Sequence, residues 1–400
     1  MKKNEKIKNY LAIYLIILLL FSYFFLFIKH QVGNDSTISE WLINYEGGFT
    51  KRGIIGQLII EFSRIFNFNL RFSIFLMQSI TCTIYFILIF NLIKNLKSER
   101  IIILSIFTPI FILYPVAEIE VLARKEIIIF SLYLLYLLVP QNSIWKTFSF
   151  IIFTSISMLI WEPVIFFFPI FFILEIIEKN IENHNINFLK ILISFVPSFI
   201  LASIYIFDPL NETEWNIMAS VLKSEFNQNC YMSCSLLKTK SSIIQQFEGN
   251  YGRYSLEVFI RYFLIIVIGF YPLFILIKNS KINNNNLILI KNFSSLYKVL
   301  VLSLVPVILL FAMGFDWGRW VNISYVFLFI VFFQLFKHKK ISIDFESIHN
   351  TFIYKLKKKT FIFFFIIFCF GWNPKTVITG DVASFPGYRI PYKAIKIMNN

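Results

Sequence analysis

Apolar stretches of roughly twenty residues recur along this chain, separated by short polar or basic breaks. Inside hydrocarbon a backbone must satisfy its own N–H and C=O groups, so such runs fold as helices. Composition points the same way. Of 400 residues, 57% are hydrophobic and 15% charged, and mean hydropathy is +0.70; soluble domains carry about 25% charged residues. The pattern predicts an all-α, polytopic transmembrane bundle, one domain over residues 1–400. A net charge of +15 would suit nucleic acid. Lys and Arg instead gather at the ends of apolar runs, which is the pattern of membrane anchoring, so no nucleic-acid partner is expected.

Lys2, Lys3, Lys6 and Lys8 place the N terminus on the cytoplasmic side. The apolar runs then give about eleven crossings: 10–28, 70–93, 101–117, 127–139, 147–161, 164–177, 188–207, 256–277, 299–315, 321–336 and 361–371. The run 361–371 and the pair split by Trp161-Glu162-Pro163 are short for full spans. Segments 29–69, 208–255 and 372–400 fall outside, and the basic segment 337–359 falls inside. Within the first outer segment, residues 53–66 set Ile54, Ile55, Leu58, Ile59, Phe62, Ile65 and Phe66 on one helical face. Gln57, Glu61 and Arg64 lie on the other. That is an amphipathic helix lying flat in the interface.

This map sends the compact charged clusters to one side of the membrane: Asp35, Glu40 and Glu46 with Lys51 and Arg52; Glu118, Glu120, Arg124, Lys125 and Glu126; Glu162; Asp316 with Arg319. Charges drawn toward hydrocarbon cost about 2.5–3.5 kcal/mol or more, so they pair or line a wet cavity. Glu46, Asp35 and Glu162 are the acid–base candidates. Gly47 and Gly48 beside Glu46 would let backbone approach a ligand closely. Lys51, Arg52, Arg124, Lys125 and Arg319 are candidates for holding an anion, with Asp316 paired to Arg319 across one turn. Trp317 and Trp320 could stack on sugar rings or serve as an interfacial belt. A divalent cation is open, although His30, His184, His338 and His349 show no zinc spacing. Cys230 and Cys234 would suit a disulfide in an oxidising compartment. No Walker loop, dinucleotide fingerprint or nucleophile elbow is present.

The series Asn44-Tyr45-Glu46-Gly47-Gly48-Phe49-Thr50-Lys51-Arg52-Gly53, Arg124-Lys125-Glu126, Trp161-Glu162-Pro163 and Asp316-Trp317-Gly318-Arg319-Trp320 resembles bacterial polytopic inner-membrane proteins of surface-polysaccharide loci. In layout these are similar to the GT-C membrane glycosyltransferases. Two positions depart from the pattern: Lys51 stands where Arg is common, which keeps the charge, and Trp161 where His is common. The resemblance implies a bacterial inner-membrane enzyme with its site on the periplasmic face. It implies a polyprenyl-phosphate-linked sugar as donor and a lipid or glycan acceptor, with Glu46 or Asp35 as the outer-loop acid. A polysaccharide polymerase or ligase, a lipid-linked saccharide transporter and a non-enzymatic assembly partner are the other expectations.

Overall fold

The structure, a computed structural model, describes residues 2–31, 36–141, 143–180, 188–208, 210–235, 237, 243–283, 295–379, 391–392, 394–396 and 398. The chain is almost entirely helical. Helices α1 (Lys2–Gln31), α2 (Ser36–Trp41), α3 (Gly53–Phe66) and α4 (Leu70–Ile93) come first. Next are α5 (Arg100–Phe107), α6 (Leu113–Ala117), α7 (Glu126–Leu138), α8 (Ile144–Ile160) and α9 (Phe168–Asn180). Then follow α10 (Phe188–Ile193), α11 (Val196–Phe207), α12 (Glu212–Phe226), α13 (Met232–Ser235), α14 (Ile243–Tyr251) and α15 (Leu256–Lys278). After them come α16 (Leu296–Leu302), α17 (Ile308–Met313) and α18 (Trp317–Lys337). The strands β1 (Ser280–Ile282) and β2 (Ile341–Ile343) form an antiparallel ribbon with Lys281 opposite Ser342.

Six helical segments among the described residues are long and apolar enough to cross a membrane: Lys8–Gln31, Leu70–Ile93, Phe188–Phe207, Leu256–Lys278, Leu296–Met313 and Trp317–Lys337. This marks a membrane protein, and six of the eleven expected crossings reappear as helical segments of spanning length. The other five runs are interrupted or short. A 13-residue helix such as α7 or α9 reaches only about 20 Å, against a hydrocarbon core of about 30 Å.

The run 101–117 shows why. Pro109 has no N–H to donate and biases Thr108 out of the helical region; Thr108 sits at φ −54°, ψ 138°. The carbonyl that Pro109 leaves without its helical donor, Ser105 O, accepts from the Tyr325 hydroxyl at 2.6 Å. Past the break the Asn322 side-chain amide donates to Ile110 O at 2.8 Å and Phe111 O at 3.1 Å. Such a break is tolerated at depth only inside protein, and Asn322 comes from α18, the central helix, whose residues are buried from Trp317 to Leu335. Pro163 similarly ends α8, and the chain makes a 3-10 turn over Glu162–Phe167 before α9.

The long segment 208–255 folds as α12, α13 and α14 rather than as open loop. Asn211 and Glu214 close a reciprocal capping box at the start of α12. Cys230 and Cys234 are joined by a disulfide. Beside it, Ser233 N donates to Ser39 Oγ at 3.2 Å, tying this segment to α2.

Candidate functional site

Five chain segments meet at the N-terminal end of α18: α2, the start of α3, the turn 118–126, the α8–α9 break and residues 316–320. Side-chain to main-chain hydrogen bonds tie them together. Trp41 of α2 donates from Nε1 to Ala123 O at 3.0 Å, and Lys125 Nζ donates to Arg52 O at 2.5 Å. Arg52 and Ala123 both hold left-handed backbone, at φ 64° and 51°. Such conformations persist only where the surroundings fix them, and they concentrate at functional sites.

The side chains form one ion network. Arg52 grips Glu162 at two points, Nε to Oε2 at 2.7 Å and Nη2 to Oε1 at 2.8 Å, and its Nη1 lies 3.3 Å from Glu40 Oε1. Arg319 is shared by three acids. It pairs with Glu126, lies 3.4 Å from Glu40 Oε1 and lies 3.4 Å from Asp316 Oδ2. Arg124 Nη1 is 3.5 Å from the same Asp316 oxygen, and Lys51 Nζ is 3.8 Å from Glu162 Oε1.

The network runs from a buried floor to an open rim. Arg319, Glu40 and Glu126 are nearly inaccessible, whereas the side chains of Glu162, Asp316 and Lys51 are 23%, 22% and 42% exposed. Burial pushes Glu40 toward the neutral form, but Arg319, Arg124, Arg52 and Lys125 together outweigh it and hold its pKa at about 2. Burial is likewise overcome at Glu162, where Arg52 and then Lys51 bring the value to about 2. Lys125 goes the other way. Burial lowers its pKa to about 7, with Glu40, Glu162 and Glu126 only partly restoring the charge. Loss of a buried lysine's proton near neutrality is a feature of reactive sites.

Two tryptophans complete the floor. The rings of Trp161 and Trp320 stack with centroids 5.9 Å apart, and the Arg319 guanidinium lies 5.5 Å and 5.2 Å from them. Both indole N–H groups are buried and, among the described residues, have no hydrogen-bond partner, so each could donate to a bound polar molecule.

The expected site residues therefore divide. Lys51, Arg52, Arg124, Lys125, Glu162, Asp316, Arg319 and Trp320 come together. Glu46 does not join them. It pairs with Arg64 at 2.8 Å and accepts from Gln57 at 2.8 Å, in a more exposed group in which Arg64 also binds Glu61 and Glu225, each at 2.9 Å. The Arg64 hydrogen bond holds its carboxyl below the usual range. Gly47 and Gly48 approach another helix, not an open ligand site: a Cβ on Gly47 would strike the Glu214 carbonyl of α12. Trp317 donates to Phe311 O at 2.7 Å and packs among Tyr254, Phe259, Tyr262 and Phe311. Asp35 and His184 lie outside the described residues.

Glu40 and Glu126 were not singled out from sequence as site residues, yet they anchor the floor. A signal existed for Glu40: it stands among Ile38, Trp41, Leu42 and Ile43, an acid in an apolar setting like that of Glu162. Among the described residues no group of three or more His, Cys, Asp or Glu is placed to hold a metal ion. No protein family, curated protein or solved structure matches the chain significantly.

Proposed function

We propose that the chain is a membrane glycosyltransferase of the GT-C type. It would move a sugar from a polyprenyl-phosphate donor at the non-cytoplasmic face of a bacterial inner membrane, in surface polysaccharide or glycolipid assembly. One observation carries this reading. Five basic side chains (Lys51, Arg52, Arg124, Lys125, Arg319) face four acidic ones (Glu40, Glu126, Glu162, Asp316) in a network that opens at Lys51, Glu162 and Asp316. The Lys51 ammonium and the Arg124 guanidinium beside this half-dry rim suit a departing lipid phosphate, whose developing charge such donors stabilise.

In this scheme the acceptor hydroxyl oxygen attacks the anomeric carbon as the bond from carbon to phosphate oxygen breaks. Its proton passes to Asp316, and the phosphate leaves with the electron pair toward Lys51 and Arg124. Asp316 is favoured over Glu162 and Glu46 because its ion pairs are long, 3.4 Å and 3.5 Å, whereas the other two are gripped at 2.7–2.8 Å. The Trp161–Trp320 stack would carry the sugar ring. The test is transfer of a labelled sugar from a polyprenyl-phosphate donor by purified protein. Asp316→Asn is expected to lower the rate by about 100-fold or more, and an unchanged rate would remove Asp316 as base.

A second reading has its own support. Every carboxylate of the network is engaged by an arginine, which leaves a weak set of bases. A polysaccharide polymerase or ligase that depends on arginines would fit. Loss of activity in Arg124→Ala with full activity in Asp316→Asn would favour it.

A further inference from the structure

At the other end of α18 lies an open cavity of about 560 Å³. Leu92 and Leu96 at the end of α4 and Phe336 at the end of α18 give it apolar walls, and Lys97, Lys337 and Lys339 reach it from the rims. The Lys97 ammonium sits over the Phe345 ring at 5.3 Å. Among the described residues none of the three lysines has a carboxylate partner. Acids at this end of the molecule have other partners: Glu178 lies 3.5 Å from His338 Nδ1. Asp344 caps the next turn, accepting from Ser347 N at 3.1 Å and Ser347 Oγ at 2.8 Å. Glu99 takes the Tyr354 hydroxyl at 2.8 Å and lies 3.3 Å from His349.

We propose that this cavity binds the phosphate headgroup of an anionic phospholipid from the leaflet at this end of the molecule, with an acyl chain lying along α4. Three arguments support the lipid. Unpaired lysines converging on one cavity leave uncompensated positive charge that a phosphate neutralises, and Lys serves phosphate as a point charge. The cavity lies at the ends of two helices of spanning length, where headgroups are found, and basic pockets between such helices on the cytoplasmic side take anionic headgroups. Its lining mixes apolar Leu92, Leu96 and Phe336, which suit an acyl chain, with polar Asn91 and Asn95, which suit a headgroup. The C termini of α4 and α18 point their negative ends here and oppose an anion. Three lysines outnumber two helix ends.

The test is lipid retention by the purified full chain, read by native mass spectrometry with titrated phosphatidylglycerol, phosphatidylcholine or inorganic phosphate. The expectation is tight retention of phosphatidylglycerol over phosphatidylcholine. Affinity should fall about fivefold for each of Lys97→Gln, Lys337→Gln and Lys339→Gln, and about a hundredfold for the three together. Lys357→Gln, a basic residue that does not line the cavity, serves as control and should change nothing. Equal retention of both lipids, or a triple variant that binds like the control, would overturn the proposal. Displacement of phosphatidylglycerol by inorganic phosphate at matched concentration would mark a free-phosphate site and overturn the lipid assignment. All substitutions are at exposed positions, and none touches the ion network at the opposite end.

Discussion

The two ends of α18 handle charge in opposite ways. At its start, Arg319 is buried among Glu40, Glu126 and Asp316. At its finish, Lys337 joins Lys97 and Lys339 around an open cavity, with no acid partner among the described residues. The ends are about 27 Å apart, from 18 residues at 1.5 Å each. Buried charge is tolerated only when paired, and exposed lysines need no partner because water serves them. The paired end therefore has a geometry that chemistry can use. The unpaired end carries the Lys excess typical of a cytoplasmic face.

The comparison breaks first at Arg319. Arg319→Ala leaves Glu40 and Glu126 buried without their shared cation and is expected to cost about 3–5 kcal/mol in chemical denaturation of the detergent-solubilised protein. A loss as small as that of a surface lysine would mean the floor is wetter than described. Gly318→Ala comes next. Its new methyl would strike the Lys375 carbonyl and approach the Tyr114 hydroxyl, for about 1–3 kcal/mol, with Gly318→Ser at least as costly.

Titration sharpens the contrast. Lys125 has its pKa depressed to about 7 from 10.5 by burial. Between those values the unfolded chain holds a proton that the folded chain lacks. Stability should therefore rise with pH from about 7 to 10.5, by at most about 1.4 kcal/mol per unit. Lys125→Met should flatten that rise in a melting series. Glu40 and Glu162 behave as depressed acids: their contribution is full above about 4.5 and lost as pH falls toward about 2. Smallest of all, Lys337→Gln or Lys339→Gln should shift stability by less than about 0.5 kcal/mol, while altering lipid retention.

Much of the fold was legible. The flat helix was expected over residues 53–66, and α3 occupies that range, because a two-faced 3.6-residue period is written locally. Its apolar face is divided in the structure, with Ile55 and Ile59 buried and Leu58, Ile65 and Phe66 exposed. Six of the eleven expected runs reappear as helical segments of spanning length. Hydropathy sums register apolar length but miss the break at Pro109, which Tyr325 and Asn322 make tolerable, whereas the break at Pro163 was visible in the sequence. In the network, the motifs around Arg52, Arg124, Glu162 and Arg319 stood out as charges in apolar settings. Glu46 stood out equally, and its partner proved to be Arg64 on the same short segment.

The sequence by itself determined that this chain belongs in a membrane, where its long apolar runs lie, and which ends are basic. Those properties are sums over neighbouring residues. Tertiary structure alone decided that Glu40 meets Arg319 across 279 positions, and that Glu46 stands apart from both. An ion pair forms only where backbones place two groups within a few ångströms, and nothing in the local pattern encodes that distance.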